Sequence, residues 1–219
     1  MFRPTIFFLA LATLGLSACA SLSTPTLPEG QVRTQQGVAQ GTISDGIISW
    51  RGIEYARAQR WALPGRAPNW TGVKTANAHG PSCPQAGQTD MVEDCLFLNV
   101  FAPQNPKQQQ KRPVLVWFHG GGFRAGSGGD APRLWAKEGL VTVSFNYRLG
   151  VLGFRDWAGW DADDPRNFGQ ADMVAALEWV RDNISAFGGD PNNVTIHGHS
   201  AGGMAVALML VDARARGFI

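Results

Sequence analysis

The chain has 219 residues, enough for one α/β domain, and its 44% of hydrophobic residues can form a sizeable core, so it is not disordered as a whole. Its 19 basic and 17 acidic residues are interspersed and leave a formal charge of +2, without the basic stripe that nucleic-acid binding needs. We therefore expect a folded protein with no nucleic-acid partner.

Residues 1–18 are typical of an export signal. Arg3 precedes an apolar run at 6–16 that is too short to cross a membrane comfortably. The letters LSAC at 16–19 resemble a bacterial lipobox, in which cleavage exposes a cysteine that receives lipid. Cys19 is thus the predicted lipidation site and membrane anchor, and an ordinary signal cleaved nearby is the alternative. Because several acyl chains hold a protein firmly at a membrane, we expect a lipoprotein of the bacterial cell envelope, either periplasm-facing or in the outer membrane.

Residues 19–36 are predicted to form a tether, and residues 37–219 the folded domain. The stretch SLSTPTLPE at 21–29 is rich in Ser, Thr and Pro and has no periodic apolar face. We expect this stretch to be unstructured and to keep the domain off the bilayer.

The domain is predicted to alternate strands and helices. Short apolar runs indicate buried strands, and apolar residues at helical spacing indicate a helix packed on a sheet. The predicted strands are 38–43 and 47–53, around an Asp45-Gly46 turn, then 96–101, 114–118, 140–145 and 194–197, and the predicted helices are 172–184 and 204–211. This order predicts an α/β fold with a mostly parallel sheet covered by helices.

The stretch from Gly198 to Gly202 spells G-x-S-x-G, with Ser200 at its centre. A predicted strand precedes it and a predicted helix follows it, which is the context of a nucleophile elbow. In such a turn a serine hydroxyl is lifted above the sheet, and flanking glycines are needed because a Cβ would clash. The short pattern also occurs by chance in glycine-rich turns, but its context favours Ser200 as the nucleophile.

Three consecutive glycines follow His119, directly after the predicted strand at 114–118. Successive glycines let the backbone curl so that its N–H groups point at one spot, and acyl transfer needs such donors where the carbonyl oxygen becomes negative. Gly121 and Gly122, together with the N–H of Ala201, are the predicted oxyanion hole. A merely flexible loop is the alternative, and the presence of G-x-S-x-G makes it the weaker one.

Cys83 and Cys95 are twelve positions apart. Export places them in an oxidising compartment, where a disulfide closing such a loop contributes on the order of 3 kcal/mol in the chain-entropy model. Free buried thiols are the alternative. A metal site would need more cysteines or histidines nearby, so none is predicted.

Three segments together resemble the type-B carboxylesterase family, which includes carboxylesterases and cholinesterases. EDCLFLNV at 93–100 resembles its cysteine signature and residues 187–202 its active-site serine signature, with the glycine loop at 119–123 between them. The resemblance implies an α/β-hydrolase fold, hydrolysis of a small-molecule ester through an acyl-serine intermediate, and no cofactor. It also implies a disulfide that joins Cys83 to Cys95.

The sequence departs from this family in two places. His199 stands before the nucleophile, where the family usually has glutamate. In α/β-hydrolases an acidic residue and then a histidine follow the serine, but here only Asp212, on the elbow helix, is acidic after Ser200, and all 4 histidines precede it. We therefore expect the N-terminal part of an esterase, ending after the elbow helix, with an open sheet edge. Because a serine without a base is a weak nucleophile, we also expect little or no turnover.

The competing interpretation is a catalytically inactive binding or adhesion module with the α/β-hydrolase fold. The family resembles adhesion proteins that keep the fold and lose the triad. The intact Ser200 and glycine loop argue against such a loss. The sequence leaves the oligomeric state open.

Overall fold

A computed structural model describes residues 27–89, 91–104, 111–129, 132–155 and 167–218. The predicted signal peptide at 1–18, the predicted lipidation site Cys19 and the first part of the predicted tether lie outside these residues. Within the described ranges, no helix combines the length and the apolar character that crossing a bilayer requires.

The described residues form β-strands, α-helices and two 3₁₀ turns in mixed order. The strands are β1 (Gln31–Arg33), β2 (Val38–Gln40), β3 (Thr42–Ser44), β4 (Ile47–Glu54), β5 (Ala56–Arg57), β6 (Gly65–Arg66), β7 (Val73–Thr75), β8 (Phe97–Pro103), β9 (Arg112–Phe118), β10 (Val141–Phe145) and β11 (Gly189–Gly198). The helices are α1 (Arg133–Ala136), α2 (Gly150–Gly153), α3 (Phe168–Asn183) and α4 (Ala201–Val211), and the 3₁₀ turns are Ile184–Phe187 and Ala213–Ala215.

The central sheet has six strands in the order β11-β9-β10-β8-β4-β3. Strand β9 is parallel to β10 and β11, whereas the pairs β10–β8, β8–β4 and β4–β3 are antiparallel. The α/β fold is confirmed, but the described part of the sheet is mixed and not mostly parallel. The predicted Asp45-Gly46 turn joins β3 directly to β4, and so short a turn can connect only antiparallel strands.

Strand β1 lies within the stretch at 19–36 that was predicted to be a tether. Strand β1 pairs with β2 in a small sheet of the order β1-β2-β7, and Val32 is buried there. The backbone N–H of Gln35 donates to Asn183 Oδ1 at 2.8 Å, and Trp50 Nε1 donates to the carbonyl of Gly30 at 2.8 Å. A strand of three residues is too short to show an alternating pattern in the sequence, so its pairing depends on these distant partners.

Helix α3 buries the apolar face that the sequence predicted, since Met173, Leu177 and Val180 are at most 1% exposed. The helix begins at Phe168, earlier than predicted. The side chain of Asn167 accepts a hydrogen bond from the backbone N–H of Gln170, which caps the first turn. The cap therefore extends the helix beyond its apolar stripe.

Among the described strands, β11 forms one edge of the central sheet. The helix that follows it, α4, consists of apolar residues and glycine, and Leu210 and Val211 are 68% and 77% exposed. An edge strand beside exposed apolar side chains favours association with another polypeptide.

A buried ion pair joins the segment after β10 to helix α3. Arg148 Nη2 lies 2.7 Å from Asp172 Oδ1, with the two side chains 4% and 0% exposed. Arg148 also donates from Nε and from its backbone N–H to Asp172 Oδ2, and from Nη1 to the carbonyl of Ala62 at 2.8 Å. Burial raises the pKa of the Asp172 carboxyl, and the hydrogen bonds and charge of Arg148 oppose that shift.

Replacing only one partner of this pair should destabilise the protein strongly. Arg148→Met leaves a buried carboxylate unpaired and should lower the free energy of unfolding by about 3–5 kcal/mol, whereas Arg148→Met/Asp172→Leu should cost less. Urea unfolding measures both effects. The control is Arg181→Met, which breaks the exposed Arg181–Asp182 pair and should cost less than about 1 kcal/mol. Equal losses for Arg148→Met and Arg181→Met would contradict the prediction.

Candidate active site

The predicted nucleophile lies in a sharp turn between β11 and α4. Ser200 has φ 55° and ψ −123°, a backbone conformation that non-glycine residues rarely adopt. Its side chain is exposed, and its hydroxyl makes no capping hydrogen bond to the helix. The strand, the strained serine and the helix therefore have the geometry of a nucleophile elbow.

The glycines of G-x-S-x-G are required by close backbone packing. A Cβ on Gly202 would lie 2.1 Å from the carbonyl oxygen of Phe118, and a Cβ on Gly198 would lie 2.3 Å from the carbonyl carbon of Gly202. Contacts below 3.0 Å force the structure to shift. The first turn of α4 can thus pack against the end of β9 only because both positions lack a side chain.

The glycine-rich loop after β9 lies beside Ser200. Because β9 and β11 are parallel, with Phe118 opposite Gly198, both strands end at the same edge of the sheet. A Cβ on Gly120 would lie 3.3 Å from Ser200 Cβ and 2.7 Å from the carbonyl oxygen of His199. The two sequence motifs, which are about 80 positions apart in the chain, therefore meet at this edge.

The predicted oxyanion donors have no acceptor among the described residues. Gly121 and Gly122 have φ angles of 111° and 64° and are exposed. In the part of the chain that the structure describes, no group accepts a hydrogen bond from the N–H of Gly121, Gly122 or Ala201. The N–H of Ala201 belongs to the first turn of α4, where backbone donors lack intrahelical partners. All three amides are available to a ligand oxygen.

The start of the glycine loop is held by two aromatic side chains that the sequence analysis did not single out as a pair. The ring of His119 stacks on Tyr147 with centroids 4.2 Å apart, and the Tyr147 hydroxyl donates to the carbonyl of His119 at 2.7 Å. His119 Nδ1 lies 2.8 Å from the carbonyl oxygen of Gly120, and burial lowers the pKa of His119 to about 4. Burial also raises the pKa of Tyr147. The neutral imidazole therefore supports the loop.

None of the four histidines makes a hydrogen bond to Ser200. His79 Nδ1 lies 3.0 Å from Asn99 Oδ1, and His197 packs against Trp117 and Trp135. His199 is exposed, and its side chain makes no hydrogen bond to another described residue. None of the four histidines is therefore placed as a hydrogen-bonded base for Ser200 in this structure.

Asp212 has a structural role in the described residues. Its carboxylate accepts hydrogen bonds from Arg214 and from Gln170 Nε2, and these bonds, with that of Arg214 the strongest, lower the pKa of Asp212. Its side chain also accepts a hydrogen bond from the backbone N–H of Arg214 at 2.9 Å, which caps the 3₁₀ turn after α4. The Asp212 carboxylate therefore serves as a cap and as the ion-pair partner of Arg214.

The predicted disulfide is confirmed, since Cys83 and Cys95 are bonded and buried. Among the described residues, no cluster of three or more His, Cys, Asp or Glu side chains could hold a metal ion. A cavity of about 610 Å³ is lined by Gln36, Trp179 and Asn183 among others, but it contains none of the predicted site residues. The candidate site is thus identified by its backbone geometry and lies apart from this cavity.

An α/β sheet that carries a nucleophile elbow beside a glycine-rich loop with free amides defines an α/β-hydrolase. A sequence model described as the carboxylesterase family matches residues 24–219. The chain therefore belongs to the carboxylesterase family, and the resemblance inferred from its motifs is confirmed.

Individual relatives extend this result. Para-nitrobenzyl esterase of Bacillus subtilis (strain 168) is 42% identical over 203 residues, which cover 85% of this chain and 41% of that protein. Phenmedipham hydrolase of Pseudarthrobacter oxydans is 39% identical over 84% of this chain and 40% of that protein. A solved structure of PNB esterase has a TM-score of 0.81 at 43% identity and covers 88% of this chain and 42% of that chain. The chain thus spans about two fifths of the length of these relatives.

The buried imidazole of His119 should make stability depend on pH. Its pKa falls from 6.5 to about 4 on folding, so between these values the unfolded state binds more protons and stability is lost as the pH falls. The loss should reach about 3 kcal/mol at most. The variant His119→Phe retains a ring against Tyr147 but cannot bind the proton. Its free energy of unfolding, measured with urea between pH 7 and 4, should therefore depend less on pH than that of the unchanged protein. Parallel profiles for the two proteins would contradict this prediction.

Proposed function

We propose that the chain supplies the nucleophile and the oxyanion hole of a carboxylic ester hydrolase that works through an acyl-serine intermediate. Ser200 Oγ attacks the carbonyl carbon of the ester, and the carbonyl oxygen becomes negative. The N–H groups of Gly121, Gly122 and Ala201 bind that oxygen. Collapse of the intermediate releases the alcohol, and water then hydrolyses the acyl-serine.

The observation that carries the proposal is the contact between two distant motifs. Gly120 lies against Ser200, while the amides of the neighbouring glycines and of Ala201 have no protein acceptor in the described residues. Free donors beside a strained, exposed serine match the requirements of acyl transfer. A binding or adhesion module would have no need for either feature.

The proposed substrates are small-molecule esters of carboxylic acids. This class follows from the family and from the relatives, of which one is named for a para-nitrobenzyl ester and another for phenmedipham. Removal of the serine proton requires a base, and no histidine of this chain makes a hydrogen bond to Ser200 in the structure. We accordingly propose little or no turnover for this chain by itself.

A chimera tests the proposal. Residues 27–218 replace the matching part of the Bacillus subtilis para-nitrobenzyl esterase, whose remaining sequence then completes the fold. The chimera should hydrolyse a p-nitrophenyl ester, and Ser200→Ala should lower kcat by at least about 10³-fold. Gly121→Ala should lower it by about 10²-fold or more, because Gly121 has φ 111° and a Cβ there would lie 2.0 Å from the carbonyl oxygen of Ala125.

The matched control is Ser185→Ala, which removes an exposed hydroxyl in the 3₁₀ turn after α3 and should leave the rate unchanged. A fluorophosphonate probe should label the chimera and fail to label its Ser200→Ala variant. A folded chimera that hydrolyses the ester equally well with and without Ser200 would overturn the proposed mechanism, and a folded chimera that neither reacts nor turns over would favour the binding module.

We also propose that Cys19 is lipidated and holds the protein at the bacterial cell envelope. The support is the LSAC sequence at 16–19 behind an apolar run. In a bacterial host, the protein should incorporate radiolabelled palmitate, and Cys19→Ser should abolish incorporation while Ser23→Ala does not. Labelling that survives Cys19→Ser would refute the assignment.

A further inference from the structure

The glycine-rich segment at 119–126, called the oxyanion loop below, closes back on its own beginning. Gly126 has φ 112°, and a Cβ there would lie 2.4 Å from His119 Nδ1 and 2.6 Å from the carbonyl oxygen of Gly120. Within the loop, the backbone N–H groups of Arg124 and Ala125 both donate to the carbonyl of Gly121 at 3.1 Å. A displacement of Gly126 is therefore expected to change the orientation of the Gly121 peptide.

Gln85 holds the closing residue of this loop. Its Nε2 donates to the carbonyl of Gly126 at 2.9 Å, and its Oε1 accepts from the N–H of Gly126 at 2.8 Å. One side-chain amide thus satisfies both polar groups of one glycine, as a neighbouring strand would. No other described side chain makes a hydrogen bond to Gly126.

Gln85 belongs to the loop that the disulfide closes. Its Nε2 also donates to the carbonyl of Cys83 at 3.1 Å, and its backbone N–H lies 3.1 Å from Met91 Sδ. The base of the disulfide loop is further paired through the backbone N–H of Val92, which donates to the carbonyl of Ser82 at 3.2 Å. These contacts fix Gln85 relative to the bond between Cys83 and Cys95.

We propose that Gln85 is a positioning residue for the oxyanion amides and that it couples the Cys83–Cys95 loop to the active site. The oxyanion glycines have no side chains to pack, so their orientation depends on contacts made to their backbone by other parts of the chain. Gln85 supplies such a contact at one end of the oxyanion loop, and Tyr147 supplies one at the other end. The catalytic consequence rests on the proposed function, whereas the coupling itself does not.

Amide hydrogen exchange by NMR on the chain tests the coupling. Gln85→Met retains the volume of the side chain and loses both bonds, whereas Gln85→Glu retains the acceptor for the Gly126 N–H and loses the donor. Protection of the Arg124 and Ala125 amides should fall about tenfold in Gln85→Met and by less in Gln85→Glu. The amide resonances of Gly121 and Gly122 should also shift more in Gln85→Met than in Gln85→Glu.

The matched control is Gln88→Ala, which changes an exposed glutamine of the same disulfide loop and should alter none of these signals. The amides of Val116 and Val143, in the buried strands β9 and β10, report on global stability and should keep their protection in all variants. A loss at Val116 and Val143 as large as that at Ala125 would assign Gln85 a purely structural role and overturn the proposal.

A double-variant cycle tests the connection to the disulfide. Cys83→Ser/Cys95→Ser should lower the protection of Ala125 in a chain that retains Gln85. The same change should add little in the Gln85→Met background, because the connection is already broken. Fully additive effects would show that the disulfide loop acts on the oxyanion loop by another route and would overturn the coupling.

The chimera described under the proposed function separates the two hypotheses. In an active chimera, Gln85→Met should lower kcat about tenfold and change KM less than twofold, because misplaced amides weaken binding of the transition state more than binding of the substrate. If the chimera is inactive while Ala125 still responds to Gln85→Met, the proposed function fails and the coupling stands. If the chimera is active but Ala125 does not respond, the coupling fails.

Discussion

The candidate site depends on a close approach of three backbone segments that leaves no space for side chains. The end of β9, the oxyanion loop and the first turn of α4 meet at Gly120, Gly198 and Gly202, where an added Cβ would contact backbone atoms at 2.1–2.7 Å. Because these segments touch through their backbones, the exposed Ser200 and the free amides of the loop are held side by side. Glycine at these positions is thus a steric requirement of the site.

The oxyanion loop itself contributes few contacts that could hold it. Its central glycines have no side chains, and the N–H groups of Gly121 and Gly122 donate to no acceptor in the described part of the chain. Order is therefore imposed by contacts from other parts of the chain: the Tyr147 hydroxyl on the carbonyl of His119, the Gly150 N–H on the carbonyl of Phe123, and the Gln85 amide on Gly126. The bond from Tyr147 is buried and those from Gln85 are partly buried, and burial strengthens such bonds and makes their loss costly.

Much of the site was predicted from sequence because its signals are local. G-x-S-x-G between a strand and a helix, and three glycines after a strand, have direct steric meaning in a few consecutive residues, and the structure places both as expected. The mixed sheet and strand β1 were not predicted, because pairing direction and the pairing of a three-residue strand depend on partners far away in the chain. The hydrogen bonds from Gln85 to Gly126 join residues 41 positions apart, so neither G-x-S-x-G nor the glycine run could predict them.

The sequence by itself determined which residues can do chemistry: a serine in a turn that only glycine neighbours permit, amides on a glycine run, and two cysteines available for a bridge. The tertiary structure decided how these parts are arranged. It brought the two motifs together, since parallel β9 and β11 end at the same edge, and it left the side chains of all four histidines without a hydrogen bond to Ser200. Proximity of this kind arises from sheet register and from long-range packing, which involve the whole chain at once, whereas turn chemistry is fixed by a few adjacent residues.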